Sequence, residues 1–214
     1  MSRGIVIMGE SGSGKTTAMR TLNPAETFYI DCDGKGLSWK GWREQYNEKN
    51  KNYMRTTMQD KIEKMMANIS EKAPHIHNIV IDTINSVMIA DERRRIADKN
   101  YDKWSDLAWS VYDICLDASE LRDDLNVIIL AHTQTDIDDN TGERFTRILT
   151  NGRKLNKIGL EKYFTTVLMT KKTADGYIFE TQANSSTCKS PMGAFEQLEI
   201  PNDMQAVLNV LKDY

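Results

Sequence analysis

The sequence predicts an α/β fold: a mostly parallel sheet with helices on both faces and an antiparallel hairpin toward the C-terminus. Three observations point there. Short β-branched runs at residues 4–8, 27–30, 79–81, 127–131 and 164–169 are continuous rather than alternating, as in strands covered on both sides. Between them lie stretches whose apolar positions recur at helical spacing. Strands alternating with helices imply parallel pairing through crossovers.

Taken in order, residues 4–8 form a buried first strand and residues 16–22 a helix. Residues 27–30 are a second strand running into Asp31-Cys32-Asp33-Gly34-Lys35-Gly36. A polar stretch with Trp39 and Trp42 follows, the two rings expected to pack against the sheet. Met58, Ile62, Met65, Met66 and Ile69 place a helix over residues 58–72. Residues 79–81 are a third strand closed by Asp82. Residues 104–124 read as a long amphipathic helix, with Trp104, Leu107, Ala108, Val111, Ile114, Cys115, Ala118 and Leu121 on one stripe. The fourth and fifth strands are residues 127–131 and 164–169. The last pattern is a hairpin turning at Asp175-Gly176.

Length and composition bound the rest. A chain of 214 residues, 40% hydrophobic and 28% charged, is expected to form a single domain over residues 1–214 with a full core. A net charge of −3 supplies no global field for a polyanion, so any such contact has to be local. Cys32, Cys115 and Cys188 are odd in number and far apart, which suits reduced thiols and a cytoplasmic protein. No apolar run is long enough to span a membrane, and the start of the chain is too strand-like for a signal peptide. The histidines of His75-Ile76-His77 lack a third nearby ligand for zinc.

The chemistry begins at Gly9-Glu10-Ser11-Gly12-Ser13-Gly14-Lys15-Thr16, which fits G-x-x-x-x-G-K-[ST] between a strand and a helix. Glycines let the backbone curl until successive N–H groups point inward, and the following helix aims its positive end at the same spot. Such a loop cradles the phosphates of a nucleoside triphosphate. Lys15 is expected on the β- and γ-phosphates, Thr16 on Mg²⁺, and Thr17 at the start of the helix beside them. Asp82, at the carboxyl end of its strand, is the second metal-positioning group; an N-cap is its plainer role. The fourth strand ends in His132-Thr133-Gln134, where His132 or Gln134 is placed to sense the γ-phosphate.

Together these residues resemble the RecA-like P-loop ATPase core, and more narrowly the small phage-encoded ATPases of recombination and single-strand annealing. The resemblance runs from about residue 4 to residue 192, and its specific part is the glycine loop. It implies ATP and Mg²⁺ as cofactors, a homo-oligomer (ring or filament), and single-stranded DNA as partner. It also implies a carboxylate after the second strand that activates water; here that is Asp33, one carbon shorter than the usual Glu, with Asp31 just before it. DNA-binding loops are implied after the third and fourth strands. The first carries Arg93, Arg94 and Arg95 near Tyr101 and Trp104, among acids that partly cancel the arginines. The second carries Arg144, Phe145, Arg147, Arg153 and Lys154. Cations for phosphates and rings for bases are what a single strand needs. A cation acting on the neighbouring subunit's nucleotide is implied at Lys171 or Lys189, although Pro191 stands where hexameric relatives carry an arginine. Two other readings stay open: a P-loop kinase for a small metabolite, and a nucleotide-gated adaptor that does not hydrolyse.

Overall fold

The computed structural model describes residues 1–96, 103–137, 140–151 and 153–214. Tyr101 lies outside them, as do the side chains of Trp104, Leu107, Arg153 and Lys154.

One nine-stranded sheet organises the chain. Its strands are β1 (Arg3–Gly9), β2 (Thr27–Asp31), β3 (Tyr53–Arg55), β4 (Asn78–Asp82), β5 (Asn126–Ile137), β6 (Arg144–Ile148), β7 (Thr166–Thr173), β8 (Gly176–Glu180) and β9 (Glu199–Pro201). The order is β3-β2-β4-β5-β1-β7-β8-β9, with β6 paired to the far end of β5. Pairing is parallel from β3 to β7 and antiparallel for β8, β9 and β6. The helices are α1 (Lys15–Ala18), α2 (Trp42–Gln45), α3 (Gln59–Lys72), α4 (Ile84–Arg94), α5 (Lys103–Asp117), α6 (Arg153–Ile158) and α7 (Met204–Leu211).

The continuous apolar runs are explained by two-sided burial. Val6 and Met8 of β1, with Ile79 and Ile81 of β4, enter one core beneath α3, α4 and α5. Ile5, Ile7 and Val80 enter the other, beneath α1 and α7. Period-two alternation therefore feeds two cores, and both faces must be apolar. Trp39 and Trp42 pack against the second core, as their sequence context suggests. Among the described residues, no helix is long and apolar enough to cross a membrane.

Several elements differ from the sequence reading. The helix expected at residues 16–22 is one α-turn continued by a 3₁₀ turn, Met19–Thr21. α5 stops at Asp117, because the turns after it bring Leu121 back to pair with Ser2 at the head of β1. The C-terminal hairpin turns at Ala174 and Asp175, since Gly176 is already paired with Thr173. Arg93, Arg94 and Arg95 do not sit in an open loop: α4 begins two residues after β4, and they close its end. Arg95 bonds Asp91 at 3.1 Å, Arg94 reaches the carbonyl of Thr57 at 3.0 Å, and Arg93 is exposed. The stretch after the fourth strand is likewise a hairpin. β5 continues past the sheet and pairs antiparallel with β6, so Arg144, Phe145 and Arg147 are strand residues. Arg153 and Lys154 open α6.

Candidate nucleotide site

Everything chemical gathers at the carboxyl ends of β1, β2, β4 and β5. The order matters here: β5 lies between β1 and β4, so its tip falls between the glycine loop and Asp82.

The loop takes its shape from glycine. Gly12 and Gly14 have φ of 77° and 102°, a region other residues occupy only under strain. A side chain at Gly14 would also meet the ring of Tyr177, 2.7 Å away. Ser13 and Thr170 share a hydrogen bond of 2.5 Å that ties the loop to β7. Lys15 folds back over the loop and donates to the carbonyls of Gly9 and Glu10, each at 2.8 Å. Its Nζ lies 3.3 Å from His132 Nδ1. Burial lowers the Lys15 ammonium to about 8, with Asp82 opposing and Lys35 adding to the shift. His132 is also lowered, by burial and then by the Lys15 charge, so a neutral imidazole faces the cation.

Asp82 is almost wholly buried. Its Oδ2 accepts from Thr16 Oγ1 at 2.7 Å and from the Tyr29 hydroxyl at 2.6 Å, while Oδ1 has no partner among the described residues. Burial raises its pKa, and those two hydrogen bonds only partly offset the shift. A buried, half-satisfied carboxylate beside a threonine hydroxyl fits a hard cation that prefers oxygen ligands. Thr16 and Asp82 would hold Mg²⁺, which when bound neutralises phosphate charge.

The two aspartates after β2 divide their tasks. Asp31 accepts from the amides of Gly34 at 2.6 Å and Gly36 at 3.0 Å and from the Tyr53 hydroxyl at 2.7 Å, which fixes the turn. Asp33 turns toward the site. Its Oδ1 accepts from Thr83 at 2.8 Å and Ser86 at 2.6 Å, and its Oδ2 is paired with Lys35. Burial alone would raise this carboxyl, but the bonds from Lys35, Ser86 and Thr83 hold it at about 2. With a folded pKa below the unfolded one, Asp33 adds stability that is lost as pH falls from 3.8 through about 2. Asp33→Asn is therefore expected to flatten the loss of thermal stability across that window. A thermal unfolding series against pH checks it.

The other expected residues divide: Lys171 lines an open cavity together with the phosphate loop, whereas Gln134, Arg147 and Lys189 are not among its walls. Opposed residues of an antiparallel pair share a face, so Thr133, Thr135 and Thr146 lie together. With Glu10, Ser11 and Gly12 they line that same cavity, of about 500 Å³. Gln134 and Arg147 occupy the opposite face, where Gln134 donates to Asp136 at 3.1 Å and Arg147 pairs with Asp136 at 2.6 Å. Lys171 pairs with Glu180 of its own chain. Lys189 joins β7 through mutual backbone bonds with Val167, and burial lowers its ammonium. The structure adds Tyr29, Lys35, Thr83, Asn85 and Ser86 to the site, none of which the sequence motifs single out. Asn85 is the fork that holds the β5 tip, accepting from the His132 amide and donating to the Leu149 carbonyl, both at 2.7 Å. The polar run Thr83, Asn85, Ser86 directly after Asp82 is a legible signal; a lysine between two glycines is a fainter one.

A glycine loop on β1, a buried carboxylate on β4 and a strand between them define a P-loop nucleotide-binding ATPase core. The chain matches the AAA domain family over residues 1–192 and belongs to it. No curated protein matches the chain.

Proposed function

We propose that this is a magnesium-dependent ATPase of RecA-like type that acts on single-stranded DNA in phage recombination, annealing or replication. One observation carries the catalytic half: the Thr16–Asp82 bond and the Lys15–His132 contact meet in one cradle, beside a negatively charged Asp33. Lys15 would draw charge from the phosphates, and His132, on the strand between, would register the γ-phosphate. Water activation falls to Asp33.

The DNA half is supported by the β5–β6 hairpin. Arg144 is exposed and Phe145 is 46% exposed beside it, offering a cation and a ring to a strand. The same β5 carries His132, so the DNA-facing hairpin and the nucleotide site share one element. The homo-oligomer belongs to the same proposal; for Lys171 to serve a neighbour it would have to leave Glu180. A nucleotide-gated adaptor is the second reading, favoured by the three donors that hold Asp33 in its weakly basic form.

Steady-state ATP hydrolysis with and without single-stranded DNA is the test. Stimulation supports the proposal, and binding without turnover supports the adaptor. Phosphoryl transfer to a metabolite would support a kinase instead. Arg144→Glu is expected to weaken DNA binding and to lower the slope of log affinity against log salt by roughly 0.7 for each phosphate no longer neutralised. Basal hydrolysis should persist, because Arg144 touches no part of the glycine loop.

A further inference from the structure

Lys35 stands in the nucleotide site without a share in the chemistry of Lys15, Asp82 and His132. It projects from a turn built to present it: Gly34 and Gly36 on either side have φ of 68° and 80°, and Asp31 takes both their amides. Its side chain is 58% exposed while that of its partner Asp33 is 10% exposed. The lysine therefore stands between the carboxylate and solvent. Thr83 and Ser86 occupy the other oxygen, Oδ1, so Lys35 closes the last free face of Asp33. Its charge also reaches Lys15, His132 and Asp82.

Resting on the nucleotide reading, we infer that Lys35 is a resident positioning cation: it clamps Asp33 while the site lacks a triphosphate and transfers to the γ-phosphate when one binds. Two arguments support the move. A carboxylate held by three donors is a poor proton acceptor, so Asp33 has to shed one of them to activate water. Thr83 and Ser86 are anchored on the buried start of α4, whereas Lys35 is a flexible stem with a solvent-exposed end. Electrostatics also favours it, because an arriving γ-phosphate offers more negative charge than one carboxylate.

The step then balances within the chain. A water oxygen bonds to the γ-phosphorus. The bond from that phosphorus to the β–γ bridging oxygen breaks, and its electron pair leaves with ADP. The water proton passes to Asp33 Oδ2, now free of Lys35, and from there to solvent. Lys35 is thus a sensor for the third phosphate that also unlocks the base.

Equilibrium binding to the intact chain tests this, with Mg²⁺ and two fluorescent probes: an ADP derivative and a non-hydrolysable ATP analogue. Lys35→Ala is expected to weaken the ATP analogue about tenfold or more, as for loss of a charge-assisted hydrogen bond, and to leave ADP within about twofold. Lys35→Arg should restore most of the difference. Asp33→Asn should tighten the ATP analogue, because the clamp no longer competes, and the gain should vanish in the Asp33→Asn, Lys35→Ala double variant. Equal effects of Lys35→Ala on both probes, or none on either, would overturn the inference. A wild-type chain that binds neither probe overturns the nucleotide reading and this inference with it. Normal probe discrimination without any response to DNA counts against the DNA proposal alone and leaves Lys35 in place.

Discussion

Lys15→Ala is expected to abolish ATP hydrolysis and to weaken ATP binding severely while the chain keeps its fold. Lys15 is the cation that the glycine loop holds at its mouth, bonded to two of the loop's own carbonyls and touching His132. Burial brings its pKa to about 8. Part of the cost of desolvating an ammonium has therefore been met before any ligand arrives, and a polyphosphate would return it to a fully charged state. Preorganised donors of this kind are typically worth on the order of 10²–10³ in rate each, and the substitution also removes ground-state attraction. The fold should survive, because both cores lie beneath the sheet faces and Lys15 contributes to neither. Circular dichroism together with a steady-state assay checks it. Unchanged turnover in a folded variant would remove the nucleotide reading altogether.

Asp82→Asn should separate stability from activity in opposite directions. On the proposed reading, magnesium-dependent turnover is expected to fall by roughly 10²-fold or more, since the carboxylate that accepts from Thr16 and would hold the metal is gone. Thermal stability without nucleotide is expected to hold or rise. The wild-type carboxylate is buried, lacks a partner on Oδ1 among the described residues, and has its pKa raised by burial. For an acid with a raised folded pKa the folded state binds more protons, so stability falls as pH rises from the ordinary value of 3.8 through the raised one. Asparagine does not ionise and escapes that loss. The two proteins should therefore diverge with rising pH, and a melting series at several pH values, run with and without Mg²⁺ and nucleotide, reads both effects. A variant that is much less stable than wild type at neutral pH would show that the charge stabilises the nucleotide-free protein.

How much of this was legible in the sequence follows from what kind of force shapes each part. The strands β1, β4 and the inner half of β5 were readable because burial on both sides demands uninterrupted apolar residues. The glycine loop was readable because few backbones tolerate those φ values. β3 was missed because Tyr53, Met54 and Arg55 form a three-residue edge strand with little apolar content. α4 was missed although Ile84, Val87 and Met88 enter the core at helical spacing: that apolar stripe is short, Asn85 and Ser86 beside it serve Leu149, His132 and Asp33, and the charged run from Asp91 to Arg95 follows at once. The β5–β6 hairpin was hidden for a related reason. Its alternation of Thr133, Gln134, Thr135 and Asp136 is polar on both faces, and polarity on both faces reads as a loop. Lys35 escaped because an ion pair between residues two apart in a turn leaves no periodic trace.

β5 leaves the sheet at a definite place. Its residues pair with β1 as far as His132 opposite Gly9, and beyond that point it pairs with β6. The hairpin is thus rooted at the glycine loop and held a second time part-way along, where Thr146 of β6, opposite Thr135, donates to the Ser185 carbonyl and accepts from the Thr187 amide. Beyond that second hold β5 runs two residues further, from Thr135 to Ile137, which at a rise of about 3.3 Å each is an overhang of roughly 7 Å. Asn85 grips the root by the His132 amide. A shift of His132 at that grip would therefore have to carry Thr146 and residues 185–187 with it, which makes the hairpin a stiff lever and not a hinge.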